Sequence, residues 1–162
     1  MTILIKELND HKDMRNFKPD RTGVEFPEHT ADVWIKARSG DLGDLFVKMA
    51  NGLYLLVSEE YSIEEPDGTE EETFMGSLDQ IMVEFLSELL YLLDGEYSLI
   101  IQPDVRVTHE DDEYRLELRG KKYRCRIKEE GEGIEVKAIT HHGVNIERDE
   151  NGQYVSEVLV DI

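Results

Sequence analysis

The stretch "DVWIKARSGDLGDLFVKMANGLYLLV", residues 32–57, decides the fold because its hydrophobic period changes partway along. Its first eight residues alternate, with Val33, Ile35 and Ala37 on one side of a predicted half-buried strand. Apolar residues then recur at steps of three and four, which predicts an amphipathic helix with Asp41 as its N-cap. The apolar stripe of that helix is Leu42, Leu45, Phe46, Met49, Ala50, Leu53, Leu56 and Val57.

A second helix and a β-rich second half complete the predicted fold. Ser77 and Gln80 have the spacing of a capping box, and Asp94 with the glycine after it predicts the end of the helix. The second half contains short β-rich segments: "YSLIIQ", "VRVTHE", "EYRLELRG", "KKYRCRI", "IEVKAIT" and "YVSEVLVDI". Asn151-Gly152 before the last segment predicts a type I′ hairpin turn. The sequence therefore predicts an α+β fold, a mostly antiparallel β-sheet with two amphipathic helices packed on one face.

The chain length fits one folded domain and an appendage. At 162 residues there is room for a single core. Residues 1–22 are polar and mixed in charge, so we interpret them as a flexible N-terminal extension, with a partner-binding arm as the alternative. The domain is predicted over residues 23–162. Within it, residues 58–76 contain eight acids and no Lys or Arg, which favours a solvated acidic loop over a surface for a basic partner. Pro66-Asp67-Gly68 predicts a turn in this loop, and the residues on either side of it could form short strands.

Charge and composition narrow the function classes. The chain has 18 Lys and Arg against 37 Asp and Glu, a formal net charge of −19. Such a charge repels nucleic acid, so a role on RNA would need another protein to make the phosphate contacts. The single cysteine excludes an internal disulfide and a cysteine-based zinc cluster, and it favours the cytoplasm. We find no signal-peptide pattern and no apolar run long enough to cross a membrane.

One basic run stands out in this acidic chain. "RGKKYRCRIK", residues 119–128, holds six cations and no acid. As a strand it would place Lys122, Arg124, Arg126 and Lys128 on one face, and Tyr123, Cys125 and Ile127 on the other. We favour cross-strand pairing with Glu113, Glu117 and their neighbours over contact with RNA phosphates. The same pattern predicts that Cys125 is packed rather than nucleophilic.

Two groups of residues are candidates for metal chemistry. Asp32 starts the first predicted strand, and the chain stops at Asp161 and the carboxylate of Ile162. If these acids met, a hard divalent cation such as Ca²⁺, Mg²⁺ or Mn²⁺ would relieve their repulsion. The alternative is a turn aspartate and a free terminus, since sequence alone does not bring them together. The histidines His29, His141 and His142 are candidate ligands or proton carriers, although structural roles are favoured.

Four blocks carry a resemblance to a known family. "HTADVWIKARSGDLGDLFVKMANGL" resembles the opening of the archease family, and "LSELLYLLDGEY" resembles its second helix. "VKAITHHGVNI" is similar to its Lys-Ala-x-Thr-aromatic-His block, and "VLVDI" to its C-terminus. The blocks fall in the family order across residues 26–162. Trp34 replaces a small residue, which predicts a covered outer face on that strand, with the N-terminal segment as the candidate cover, and His141 replaces an aromatic residue.

The resemblance implies a function as well as a fold. Archease is a non-catalytic protein cofactor of the GTP-dependent RNA ligase of the RtcB type, which joins tRNA exons. The family promotes the ligase's guanylylation and multiple turnover and broadens its nucleotide specificity. It implies a divalent metal, most readily Ca²⁺, held by Asp32, Asp161 and Ile162, with His29 and His142 nearby. It also implies a ligase partner, indirect contact with RNA and a monomeric chain.

Two rival functions remain open at this point. One is a small divalent-metal-dependent hydrolase with His29 or His142 as general base. The other is a general chaperone. Against an independent enzyme, the sequence has no Gly-rich phosphate loop, no serine nucleophile elbow and no zinc-binding helix signature.

Overall fold

The structure, a computed structural model, describes residues 18–26, 32–129 and 134–162. Two helices and eight strands lie within these ranges. The helices are α1 (Leu42–Val57) and α2 (Leu78–Glu96). The strands are β1 (Val24–Glu25), β2 (Val33–Ser39), β3 (Tyr61–Gly76), β4 (Ser98–Glu110), β5 (Glu113–Ile127), β6 (Ala138–Ile139), β7 (Asn145–Arg148) and β8 (Tyr154–Asp161). The predicted α+β class is confirmed.

The strands of the described ranges form two antiparallel sheets. The first sheet has the order β1-β2-β8-β6, and β7 also pairs with β8. The second has the order β3-β5-β4. Helix α1 contacts strands of both sheets, and so does α2. The helices therefore bury their apolar faces against two sheets that share one core.

The core forms where the two helical stripes meet. Phe46 of α1 and Phe85 of α2 are fully buried and pack edge to face, with ring centroids 5.5 Å apart. Ile35 from β2 and Leu116 from β5 are also fully buried and bring both sheets into this core. Asp41 caps α1 as predicted, because its carboxylate accepts a hydrogen bond of 2.9 Å from the backbone N–H three residues on.

Helix α2 starts as predicted but ends later. The Ser77 hydroxyl accepts a hydrogen bond of 3.2 Å from the Gln80 N–H. The helix runs past the predicted stop to Glu96, and Tyr97, not a glycine, takes the left-handed conformation with φ of 52°. The Tyr97 carbonyl accepts a hydrogen bond of 2.8 Å from the Cys125 N–H. Pairing with β5 thus fixes the backbone at this point, which local sequence signals cannot reveal.

The acidic segment forms one long strand, so the predicted loop with a central turn is wrong, although the short strands considered on its flanks lie within this strand. Its residues form β3, a 16-residue strand that pairs with β5 along its length. The turn-like Pro66-Asp67-Gly68 sequence produces register shifts between Ile63 and Thr69 instead of reversing the chain. The predicted short segments that follow are also joined, into the long strands β4 and β5.

The last hairpin has a turn of another type. A type I′ turn needs positive φ at both central residues, but only Gly152 has it, with φ of 76°. The Asp149 carboxylate accepts hydrogen bonds of 2.9 Å from the N–H groups of Asn151 and Gln153. The Gly152 N–H donates to the Asp149 carbonyl at 3.1 Å. The side chain of Asp149, rather than the Asn-Gly pair, holds this turn.

Two further predictions concern the N-terminal boundary of the domain and the absence of a membrane span. The proposed division at residues 22 and 23 stays a prediction, because residues 1–17 lie outside the described ranges, although Pro19 is buried. In the part of the chain that the structure describes, neither helix combines the length and apolarity needed to span a bilayer.

Candidate metal centre

The register of the first sheet brings Asp32 and Asp161 together. Strands β2 and β8 are antiparallel, and Val33 is the partner of Val160. The next residues outward are Asp32, just before β2, and Asp161, the last residue of β8, and a register continued by one step would place them opposite each other. Directly opposed residues of an antiparallel pair present their side chains on the same face. Asp32 is half-buried and Asp161 is exposed, so both acids are accessible to solvent at the same end of the sheet.

A third strand fixes the backbone of Asp161. Ala138 of β6 is its partner on the other side, and the Lys137 N–H donates to the Asp161 carbonyl at 2.8 Å. The Thr140 N–H and hydroxyl both donate to the Leu159 carbonyl, each at 3.1 Å. The end of β8 is thus held between β2 and β6. Ile162 follows Asp161 directly and is 38% exposed.

The acid pair has no cationic partner within the described residues. Alternation along β2 places Asp32, Trp34 and Lys36 on the face away from the core. The nearest cation on that face of β2 is already engaged, since Lys36 Nζ lies 3.0 Å from Glu157 Oε1. Among the described ranges, neither Asp32 nor Asp161 forms an ion pair. Adjacent carboxylates without a counter-charge suit a hard divalent cation with oxygen ligands.

The turn that carries two of the histidines lies against the same face. Gly143 has φ of 69°, and a Cβ there would come within 2.5 Å of Trp34 Cη2. The 141–143 turn therefore lies against Trp34 on the outer face of β2, whereas most of the N-terminal segment that was considered as a cover lies outside the described residues. His141 and His142 are both exposed in that turn. His29 lies outside the described residues. The ligand set of Asp32, Asp161 and Ile162 remains a prediction.

A second group of acids was missed by sequence reasoning. Carboxylate oxygens of Glu70 and Glu72 on β3 and Glu88 on α2 all lie within 4.8 Å of one another. Lys122 Nζ lies 3.4 Å from Glu70. Burial, and then the charges of Glu72 and Glu70, raise the pKa of Glu88 above its usual value. Glu70 and Glu72 alternate along β3, but sequence reasoning did not use this alternation because their segment was predicted to be a loop.

The basic run of β5 pairs across strands, as favoured, but with different acids. The predicted partners were Glu113, Glu117 and their neighbours, whereas the observed ones come from β3. Ion pairs join Arg119 to Glu71 (3.6 Å), Lys122 to Glu70 (3.4 Å), Arg124 to Glu65 (3.7 Å) and Asp67 (3.9 Å), and Arg126 to Glu64 (3.0 Å). The acidic strand and the basic strand therefore neutralise much of each other's charge.

Cys125 is packed, as predicted. It is 3% exposed, and burial raises the pKa of its thiol to about 12, with smaller contributions from Glu64 and Asp94. A thiol with that pKa stays protonated near neutral pH, which makes it a poor nucleophile.

The fold and the paired strand ends together define a small α+β protein with an acidic, oxygen-lined candidate metal centre. Residues 25–162 match the Archease protein family (MTH1598/TM1083). The chain belongs to the archease family.

Relatives and a solved structure agree with this assignment. The chain is 33% identical over 140 residues to Protein archease of Pyrococcus furiosus, covering 85% of this chain and 97% of that protein. It is 26% identical over 147 residues to Protein archease of Danio rerio, covering 90% and 89%. The solution structure of Methanobacterium thermoautotrophicum protein 1598 superposes with a TM-score of 0.65 at 28% identity, covering 86% of this chain and 99% of that chain.

Proposed function

We propose that this chain is a non-catalytic protein cofactor of a GTP-dependent RNA ligase of the RtcB type. It promotes the ligase's guanylylation and multiple turnover in tRNA splicing, and it broadens the nucleotides that the ligase accepts. The observation that supports the proposal is the Val33–Val160 pairing, which brings the chain positions of Asp32 and Asp161 to the same end of one sheet in a member of the archease family.

In this proposal, the carboxylates of this chain supply the negative charge that holds a divalent cation. Strands β2 and β6 hold β8 between them, so the backbone that carries Asp161 is fixed beside the start of β2, which Asp32 directly precedes. The Ile162 carboxylate adds a further oxygen donor beside them. A bound Ca²⁺, Mg²⁺ or Mn²⁺ would supply positive charge for contacts to phosphate oxygens during nucleotidyl transfer on the ligase. The transfer itself takes place on the partner, so the isolated chain is expected to turn over no substrate.

The charge of the chain supports an encounter with a basic partner. A net charge of −19 attracts the cationic surface that an RNA-handling enzyme needs, and it raises the association rate at low salt. Most cations of β5 are already paired with acids of β3, which disfavours direct binding of RNA there. RNA contact would therefore come through the ligase.

The test is multiple-turnover joining of a 3′-phosphate RNA by a cognate ligase, with and without this chain. We expect Asp32→Asn and Asp161→Asn each to reduce the stimulated rate by about tenfold or more, because each removes one ligand charge while keeping side-chain size. The matched control is Asp112→Asn, which removes one charge in the β4–β5 turn of the other sheet. It should stimulate like the wild type.

Two outcomes would contradict the proposal. Wild-type stimulation by Asp32→Asn or Asp161→Asn, with an unchanged melting temperature, would remove the acid pair from the function. Hydrolysis of phosphate esters by the chain alone, dependent on a divalent cation and on these acids, would instead support the metal-dependent hydrolase.

A further inference from the structure

A cavity separate from the metal centre opens beside the end of α1. Its volume is about 520 Å³. It is lined by Lys18, Pro19 and Arg21, the last turn of α1, the start of β3 and Lys128 just after β5. None of the predicted metal ligands lines it. The volume falls within the range of pockets that bind small organic ligands.

The charge of this cavity is opposite to that of the chain. Three cations line it, Lys18, Arg21 and Lys128, against one acid, Glu59. All three cations are exposed, and none forms an ion pair within residues 18–26, 32–129 and 134–162. Elsewhere on the described surface most Lys and Arg side chains are paired, so three unpaired cations around one cavity mark a site for an anion.

The floor of the cavity is apolar and its walls are held in place. Val57, Leu93 and Leu99 are at most 6% exposed and give the floor its hydrocarbon surface. The Tyr54 hydroxyl accepts a hydrogen bond of 3.2 Å from the Ile100 N–H. The Tyr61 hydroxyl donates to Asp94 at 2.7 Å. Both rings therefore have their polar ends engaged and present carbon surface to the cavity.

We propose that this cavity binds a small organic anion that has an apolar body and one anionic head group. The body would cover the floor formed by α1, α2 and β4, and the head group would lie among Lys18, Arg21 and Lys128. Apolar burial supplies most of the affinity, and the cations select the charged ligand over a neutral one. This proposal does not depend on whether the chain stimulates a ligase.

Two fluorescent probes test this on the full 162-residue chain. The first is 1-anilinonaphthalene-8-sulfonate, and the second is N-phenyl-1-naphthylamine, which has the same rings without the sulfonate. We expect the sulfonate to bind more tightly, and its affinity to fall about two- to fivefold in Lys128→Gln and again in Arg21→Gln, as for an exposed charge pair. Affinity for the neutral probe should not change in either variant.

The control variant is Lys121→Gln, which removes an exposed cation of β5 that does not line the cavity. Methyl resonances of Ile63 and Leu99, which line the cavity, should shift on titration with the sulfonate, whereas those of Leu159 on the first sheet should not. The proposal is overturned if the sulfonate does not bind the folded chain. It is also overturned if Lys121→Gln weakens binding as much as the two lining variants, or if the shifts fall elsewhere.

Discussion

The negative charge of Glu88 is unfavourable because the side chain is partly buried and lies beside other carboxylates. It faces Glu70 and Glu72 across the gap between α2 and β3, and only Glu70 has a cation, Lys122, at ion-pair distance. The pKa of Glu88 is raised first by burial and then by Glu72, Glu70 and Glu96. A carboxyl whose pKa is higher in the folded state than in the unfolded chain binds protons more readily when folded. Its charge therefore lowers stability above the folded pKa, and the penalty disappears as pH falls below the unfolded value.

We accordingly expect Glu88→Gln to stabilise the protein at pH 7. The melting temperature measured in EDTA should rise by about 1–3 °C, since relief of a like-charge contact contributes a fraction of a kcal/mol. The difference should vanish below about pH 4, where glutamate is protonated in the unfolded chain as well. Glu135→Gln, at an exposed position outside the cluster, should leave the melting temperature unchanged. A lower melting temperature for Glu88→Gln at pH 7 would show that the charge is stabilising.

Glycines within the two helices have opposite roles. A Cβ at Gly52 of α1 would lie 2.5 Å from Ile35 Cγ2 and 3.3 Å from Val24 Cγ1. Ile35 is fully buried and cannot move aside, so this glycine lets α1 approach β2 closely. A Cβ at Gly95 of α2 would meet only the Tyr91 ring, at 3.2 Å, and that side chain is 58% exposed.

Alanine at these two positions should therefore change stability in opposite directions. Gly52→Ala is expected to destabilise by about 1–3 kcal/mol, because overpacking outweighs the gain in helix propensity. Gly95→Ala is expected to stabilise by up to about 1 kcal/mol, because the Tyr91 ring can shift. Denaturant unfolding monitored by circular dichroism measures both. Stabilisation by both alanines would mean that the contact of α1 with β2 tolerates a methyl group at Gly52.

The helices could be predicted from the sequence because their signals are local. The caps at Asp41 and Ser77 and the apolar stripes lie within the elements they define. Strand β3 could not be predicted in this way, because residues 61–76 are strongly acidic and show no hydrophobic alternation that would indicate a strand. It is a strand because β5, far along the chain, presents cations and hydrogen-bonding groups opposite it. The identity of its partner decides its structure, and partner identity is not a local property.

The same limit applies to the candidate metal centre. Nothing around Asp32 indicates that Asp161 is near, so the sequence left open whether these acids meet, and only the family resemblance favoured their meeting. In the folded molecule β8 lies between β2 on one side and β6 and β7 on the other, so the last strand occupies the interior of the first sheet. This topology puts Asp161 of β8 near the start of β2, and it places Ile162 just beyond the paired region.

A chain that ends at Ile162 therefore presents a carboxylate one residue beyond the acid pair. Any extension after Ile162 converts that carboxylate into an amide and removes one anionic oxygen from the proposed ligand set. Because ligand charge strongly affects Ca²⁺ affinity, we expect a C-terminal tag to weaken Ca²⁺ binding on the order of tenfold in calorimetry. Ile162 is 38% exposed and lies outside β8, so the melting temperature without metal should not change.

The same tag at the N-terminus is the matched control and should leave Ca²⁺ affinity unchanged. Equal affinity of both tagged proteins would exclude the Ile162 carboxylate as a ligand while leaving Asp32 and Asp161 in place. Asp161→Asn in the untagged chain then separates the two contributions. If the acid pair is the principal ligand, this variant should lose more affinity than the tagged wild type, because Asp161 lies near the start of β2 whereas Ile162 lies one residue further out.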